Sequence, residues 1–190
     1  MVQAPAKVIT LEAFLGLPEI KPAREYIDGE ILQKPMHQGK HSTIQRDFVI
    51  AVESALKSEK IARAFPELRC TFGGRSIVPN VAVFTHQHIP RNPDGTIANQ
   101  FKSAPDWVVE ILSPDQSQTK VTKKTLYCLK HGTQIGWLID LEEQTIFVHG
   151  TEKVLEVFDM ESPNEQLPVP VFAHQKLTLT LKNVMDWLLD

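Results

Sequence analysis

Trp107-Val108-Val109-Glu110-Ile111-Leu112 is a short, nearly all-apolar run carrying one acid. An apolar run of this length without alternation reads as a buried central strand. Glu110 is then the informative residue, because a carboxylate inside such a strand is costly unless it is paired, protonated or metal-bound. The plain alternative to a functional acid is a structural ion pair, or a strand with one wet face. Buried carboxylates cluster at sites without being confined to them.

On the C-terminal side, Gln116 to His131 reads as a helix ended by Gly132. It holds Lys120, Lys123, Lys124 and Lys130, and no acid occurs between Gln116 and Ile139. At about 100° per residue, Val121, Thr125, Cys128 and Leu129 form one face. Lys123 and Lys130 lie well away from it. Lys124 lies beside Cys128 at the border, from where it can reach back over the sheet; a solvated basic face with Lys124 snorkelling is the alternative. Gln134 to Asp140, Thr145 to His149 and Lys153 to Phe158 read as strands joined by tight turns. Pro163 to Pro170 is a loop, Lys176 to Leu181 a last strand and Val184 to Leu189 a last helix.

On the N-terminal side, Ser76 to Phe84 reads as a strand in which Asn80 is the one strongly polar side chain after Ser76. Pro79 removes a ladder bond there and marks an edge or irregularity, so Asn80 can also be a satisfied polar group at a bulge. Ile61 to Phe72 is a further strand, set off by Gly73-Gly74. His37 to Glu59 is a long helix, with Ile44, Phe48, Val52 and Leu56 recurring every four residues. Glu25 to Gln33 reads as a hairpin turning at Asp28-Gly29, and Thr10 caps a short helix from Leu11 to Gly16. His86 to Ser103 is long, polar and aperiodic, which predicts a mobile loop at the rim of a cleft. The fold class is α/β: a mixed β-sheet flanked by helices, in one domain over residues 1–190.

The composition agrees. The chain has 190 residues, 42% hydrophobic and 23% charged, an ordinary balance for one globular domain. Its net charge of −3 argues mildly against a protein living on non-specific phosphate contacts. It does not exclude an enzyme on nucleic acid, whose metal-holding acids lower the net charge. No apolar run approaches the roughly 18 residues that span a bilayer, and Met1 to Thr10 lacks the pattern of a secretory signal. Cys70 and Cys128 make neither a disulfide framework nor a metal knuckle, so the cytoplasm is the expected compartment.

Three segments together carry a resemblance: Arg75-Ser76-Ile77-Val78-Pro79-Asn80-Val81-Ala82-Val83, Asp106 through Trp107 and Glu110 to Ser113-Pro114, and Lys124 through Gly132 to Gly136-Trp137-Leu138-Ile139-Asp140. With Glu25-Tyr26-Ile27-Asp28-Gly29 and His41, they resemble the Uma-two restriction-endonuclease family of the PD-(D/E)xK nuclease superfamily. The resemblance runs from about Leu11 to Leu189. It implies a restriction-endonuclease-like fold that hydrolyses DNA phosphodiester bonds with Mg²⁺ or Mn²⁺. It places the first acid at Asn80 and the second at Glu110, both as metal ligands. The superfamily lysine, usually two residues after the second acid, moves to Lys124 on the following helix. Glu25 resembles an auxiliary acid.

Asn80 departs from the pattern, which has Pro-Asp where this chain has Pro-Asn. Asparagine offers a carbonyl oxygen but no charge, and Mg²⁺ prefers hard anionic oxygens. A weak metal site and impaired cleavage are expected, with a non-catalytic nucleic-acid-binding or interaction module on the same scaffold as the alternative. A structural oligomer whose polar residues satisfy one another is a third reading. Some superfamily members cut as dimers, so a homodimer is compatible with the resemblance. The role of His41 is open.

Overall fold

The computed structural model describes residues 9–114, 116–152 and 154–189. Helix α1, Leu11–Leu15, opens on Thr10, whose side chain accepts the Ala13 N–H. Strands β1, Arg24–Ile27, and β2, Glu30–Gln33, form the expected hairpin. Asp28 and Gly29 both take positive φ there, 51° and 91°, which a tight hairpin turn requires. Helix α2, Gly39–Leu56, is followed by β3, Ala62–Pro66, β4, Cys70–Phe72, β5, Arg75–Ile77, and β6, Val81–Thr85. The anchor strand is β7, Trp107–Ile111, every residue of it buried. Then come α3, Gln118–Lys130, β8, Ile135–Asp140, β9, Thr145–Gly150, β10, Leu155–Phe158, and α4, Leu181–Asp186.

The strands form a six-stranded mixed sheet, ordered β10-β9-β8-β7-β6-β3, and a four-stranded antiparallel sheet, ordered β2-β1-β5-β4. Only β7 and β8 run parallel in the larger sheet. Parallel neighbours need a crossover, and α3 supplies it. Side chains alternate along β7. Trp107, Val109 and Ile111 enter the core under Ile44, Phe48, Val52 and Leu56 of α2, with Trp137 beside them. Val108 enters a second core with Ala82, Phe84, Cys128 and residues of the smaller sheet. Glu110 shares this second side, under α3.

Four sequence expectations are corrected. The runs 61–72 and 76–84 are each two strands, one in each sheet. The chain crosses between sheets at Glu67–Arg69 and again at Val78–Asn80, and Pro79 marks a crossing rather than a strand edge. Helix α2 is shorter than His37 to Glu59. No strand forms from Lys176 to Leu181; a single bridge joins Gln166 and Thr180, and Thr180 instead caps α4 in a capping box. Lys153, the expected start of a strand to Phe158, lies outside the described residues, as do residues 1–8. The long loop is not a rim of the cleft. It leaves β6 at Thr85, the end remote from Asn80, and buries Ile89 and Phe101 in the second core. The Thr71 N–H donates to the Phe101 carbonyl at 2.9 Å. Among the described residues, no helix is long and apolar enough to cross a membrane.

Candidate active site

Glu110 and Asn80 lie side by side. Val81 pairs with Val109, so the residue before β6 falls beside the residue after Val109. Lys124 comes to them from α3. Its placement depends on Gly136 of β8, where a Cβ would collide with the Thr125 methyl. Without a side chain at 136, α3 lies close on the sheet and Lys124, the neighbour of Thr125, is carried inward until it is only 6% exposed.

The Lys124 Nζ lies 3.0 Å from Glu25 Oε1 and 2.9 Å from Glu110 Oε1. The first contact is a hydrogen bond and the second an ion pair. Glu110 Oε1 is buried, with the Lys124 ammonium as its close polar neighbour. Glu25 Oε1 also accepts the Val78 N–H at 2.7 Å, which ties the smaller sheet to the crossing that carries Asn80. Burial pushes the Glu110 carboxyl up, against the pull of Lys124 and Lys34. Burial alone would lower the Lys124 ammonium, but Glu110 and Glu25 outweigh it and raise its pKa. Lys124 thus stays charged, facing two acids.

Asn80 is hydrogen-bonded at both ends of its side chain and at its carbonyl. Its Oδ1 accepts the Ile111 N–H at 2.8 Å, its Nδ2 donates to Glu67 Oε1 at 3.1 Å, and its carbonyl accepts from Gln45 Nε2 at 2.7 Å and from the Glu67 N–H at 3.1 Å. Lys34 donates to both Glu67 oxygens, at 2.7 and 2.8 Å, and to the Val78 carbonyl at 2.8 Å. Burial, reinforced by Lys124, lowers the Lys34 pKa. Glu67 holds a left-handed backbone, φ 50°, a conformation that costs a non-glycine residue energy and is kept only where surrounding contacts fix it. His37 and His41 stack with centroids 3.9 Å apart. Burial, then His37 and Lys34, pushes His41 down to about 4.

All four residues expected at the site, Glu110, Lys124, Asn80 and Glu25, are thus in one connected network. Sequence reading missed Lys34, Gln45 and Glu67. Gln45 had a signal: it and His41 fall on the apolar stripe of α2, where polar residues are out of place. Lys34 and Glu67 had none, since Lys34 lies just past the end of a short strand and Glu67 in the turn after β3.

The donor set was weighed for a divalent metal. Among the described residues, no three His, Cys, Asp or Glu side chains are disposed to hold one together. Mg²⁺, however, is commonly held by one or two carboxylates with water and substrate phosphate supplying the rest. The Glu110 carboxylate, buried and paired at Oε1 with the Lys124 ammonium, fits such a single site. A second, two-metal arrangement does not fit, because Asn80 is uncharged and Glu67 is bound on both oxygens by Lys34.

A family model described as "Uma2: Putative restriction endonuclease" matches residues 11–182. The chain belongs to this family. A solved structure from Anabaena variabilis, described as a putative nuclease belonging to DUF820, resembles this Uma2 chain with a TM-score of 0.91 and 58% identity, covering 95% of this chain and 99% of that one. No curated protein matches. The restriction-endonuclease-like fold and the family membership expected from the sequence both stand, and the family is one of nucleases.

Proposed function

We propose that this chain is a DNA endonuclease that hydrolyses phosphodiester bonds with one Mg²⁺ or Mn²⁺ ion, and slowly, because Asn80 stands in place of an acid. The observation that carries the reading is Lys124, buried and charged between Glu25 and Glu110. A structural ion pair needs one acid for one base; here a second acid is kept on the same ammonium at the cost of burying it.

Glu110 would hold the ion, with the second lone pair of Asn80 Oδ1 as an uncharged donor. An ion held there would supply a water of lowered pKa and positive charge against the phosphate. Lys124 would present a fixed positive charge to the same phosphate from a buried position, where such charges act more strongly than in water. Glu25 aims Lys124 and is itself held by the Val78 N–H. Asn80 keeps Ile111, and through it the end of β7, in register beside Glu110.

A second reading has its own observation. Both ends of the Asn80 side chain are already hydrogen-bonded, so the scaffold is satisfied without a metal. It would then serve as a nucleic-acid-binding module. A plasmid-nicking assay with Mg²⁺ or Mn²⁺ separates the two. The native chain should nick slowly, Asn80→Asp should nick about 10²–10³-fold faster, the usual effect of one charge-stabilising group, and Asn80→Asp with Glu110→Ala should be inactive. Activity surviving in the double variant would remove Glu110 from the chemistry. DNA binding that falls with salt, without cleavage in any variant, would establish the second reading.

A further inference from the structure

A groove of about 370 Å³ lies between the β1–β2 hairpin and the start of α3, and Lys34, Lys120 and Lys124 all line it. Two of these cations are already answered by acids: Lys124 by Glu25 and Glu110, and Lys34 by Glu67. Lys120 is exposed and, among the described residues, has no carboxylate within ion-pair distance. It precedes Lys124 by one turn of α3, about 6 Å along the axis. Glu25 is the one acid among the lining residues; it is buried, and its Oε1 is taken by Lys124 and the Val78 N–H. The facing wall is neutral, made of Ile27, Leu32 and the Gln33 amide. The proposed hydrolysis leaves Lys120 unused.

We infer that Lys120 binds a backbone phosphate next to the scissile one, so that the cut strand lies in the groove between α3 and the β1–β2 hairpin. The inference rests on the nuclease reading, which puts the scissile phosphate at Lys124. One helical turn is of the order of the separation of successive phosphates on a strand, so two lysines one turn apart can meet two neighbouring phosphates. The groove suits an anion because its one unanswered charge is positive and its one acid is buried and bound. Lys130 supplies the contrast. It is exposed on the same helix, about 15 Å further along the axis, and does not line the groove. DNA lying along the outer basic face of α3 would use Lys120 and Lys130 alike; DNA in the groove uses Lys120 and not Lys130. Each phosphate neutralised by a lysine releases condensed counterions, so each contact is counted by the salt dependence of binding.

The test is fluorescence anisotropy of a labelled duplex in EDTA, without turnover, across about 50–200 mM salt. Lys120→Ala should weaken binding and lower the slope of log K against log salt by about 0.9, the loss of one phosphate contact. Lys120→Arg should keep the native slope, and Lys130→Ala should leave both affinity and slope unchanged. Gln33→Glu, at an exposed position on the facing wall, sets a negative charge against the strand and should weaken binding several-fold at low salt. An unchanged slope in Lys120→Ala, an equal fall in Lys120→Ala and Lys130→Ala, or native affinity in Gln33→Glu overturns the groove. So does displacement of the duplex by inorganic phosphate at matched ionic strength from the native chain and not from Lys120→Ala, which would mark a site for a free anion. Nicking with an unchanged slope in Lys120→Ala would refute the groove alone. The expected slopes without nicking would support the groove and refute only the nuclease. No binding of DNA overturns both.

Discussion

Asn80 and Glu67 are joined twice: the Asn80 Nδ2 donates to Glu67 Oε1 at 3.1 Å, and the Glu67 N–H donates to the Asn80 carbonyl at 3.1 Å. The side-chain bond requires an amide. An aspartate at 80 cannot donate, and would set two carboxylates against each other at the same distance. The asparagine is therefore built into the network around Glu67 and is more than a weakened ligand.

Asn80→Asp should lower stability in EDTA by about 1–3 kcal/mol, the penalty for a lost buried partner, and Mn²⁺ should restore it by binding the folded state alone. Thermal denaturation of native and variant chains, with and without Mn²⁺, checks this. A variant as stable as the native chain in EDTA would mean that the Asn80–Glu67 bond contributes nothing.

Lys124→Met should be costly in a different way. It leaves Glu25 and Glu110 buried without their cation, and breaking one side of a buried pair costs about 3–5 kcal/mol. Adding Glu25→Gln and Glu110→Gln should recover much of that loss, because no buried charge is left unpaired. Urea denaturation of the single and triple variants measures the non-additivity. Equal destabilisation in both would show that the lysine acts by packing.

The outline of this site was legible in the sequence because its parts lie on elements with strong periodicity. Glu110 interrupts an apolar strand, and Lys124 borders the apolar face of a helix; each position follows from counting. Asn80 was found by its polarity, but its surroundings were not, since the crossing between two sheets has no sequence period. Lys34, just past β2, and Glu67, in the turn after β3, reach the site by tertiary contact. The loop from His86 to Ser103 misled for the opposite reason. Its polar composition hides two anchors, Ile89 and Phe101, that bury apolar surface without any repeat.

Gly136→Ala should loosen the site from a distance. The added methyl would strike the Thr125 side chain and push α3 off the sheet. Overpacking of this kind typically costs about 1–3 kcal/mol. Lys124 should become more accessible as α3 lifts, so its modification by an amine-reactive reagent should speed up in Gly136→Ala. An unchanged modification rate would mean that the helix position does not depend on this glycine.

Acid should destabilise the fold through buried histidines. His41, pushed down to about 4, and His149, lowered by burial and with no partner for Nε2 among the described residues, bind fewer protons folded than unfolded. Their contribution is present above the unfolded value near 6.5 and is lost as pH falls, for His41 down to about 4. Glu110 acts in the opposite sense. Its raised carboxyl binds more protons folded than unfolded, so its unfavourable effect fades as pH falls toward the unfolded value. The two slopes can be separated at His149, which lies on β9 away from the carboxylates. Substituting His149→Leu removes one group through which acid destabilises the fold and leaves Glu110 in place. The urea midpoint of His149→Leu should therefore fall less than that of the native chain between about pH 7 and about pH 5. An identical fall in both would mean that His149 is protonated as readily in the folded chain as in the unfolded one.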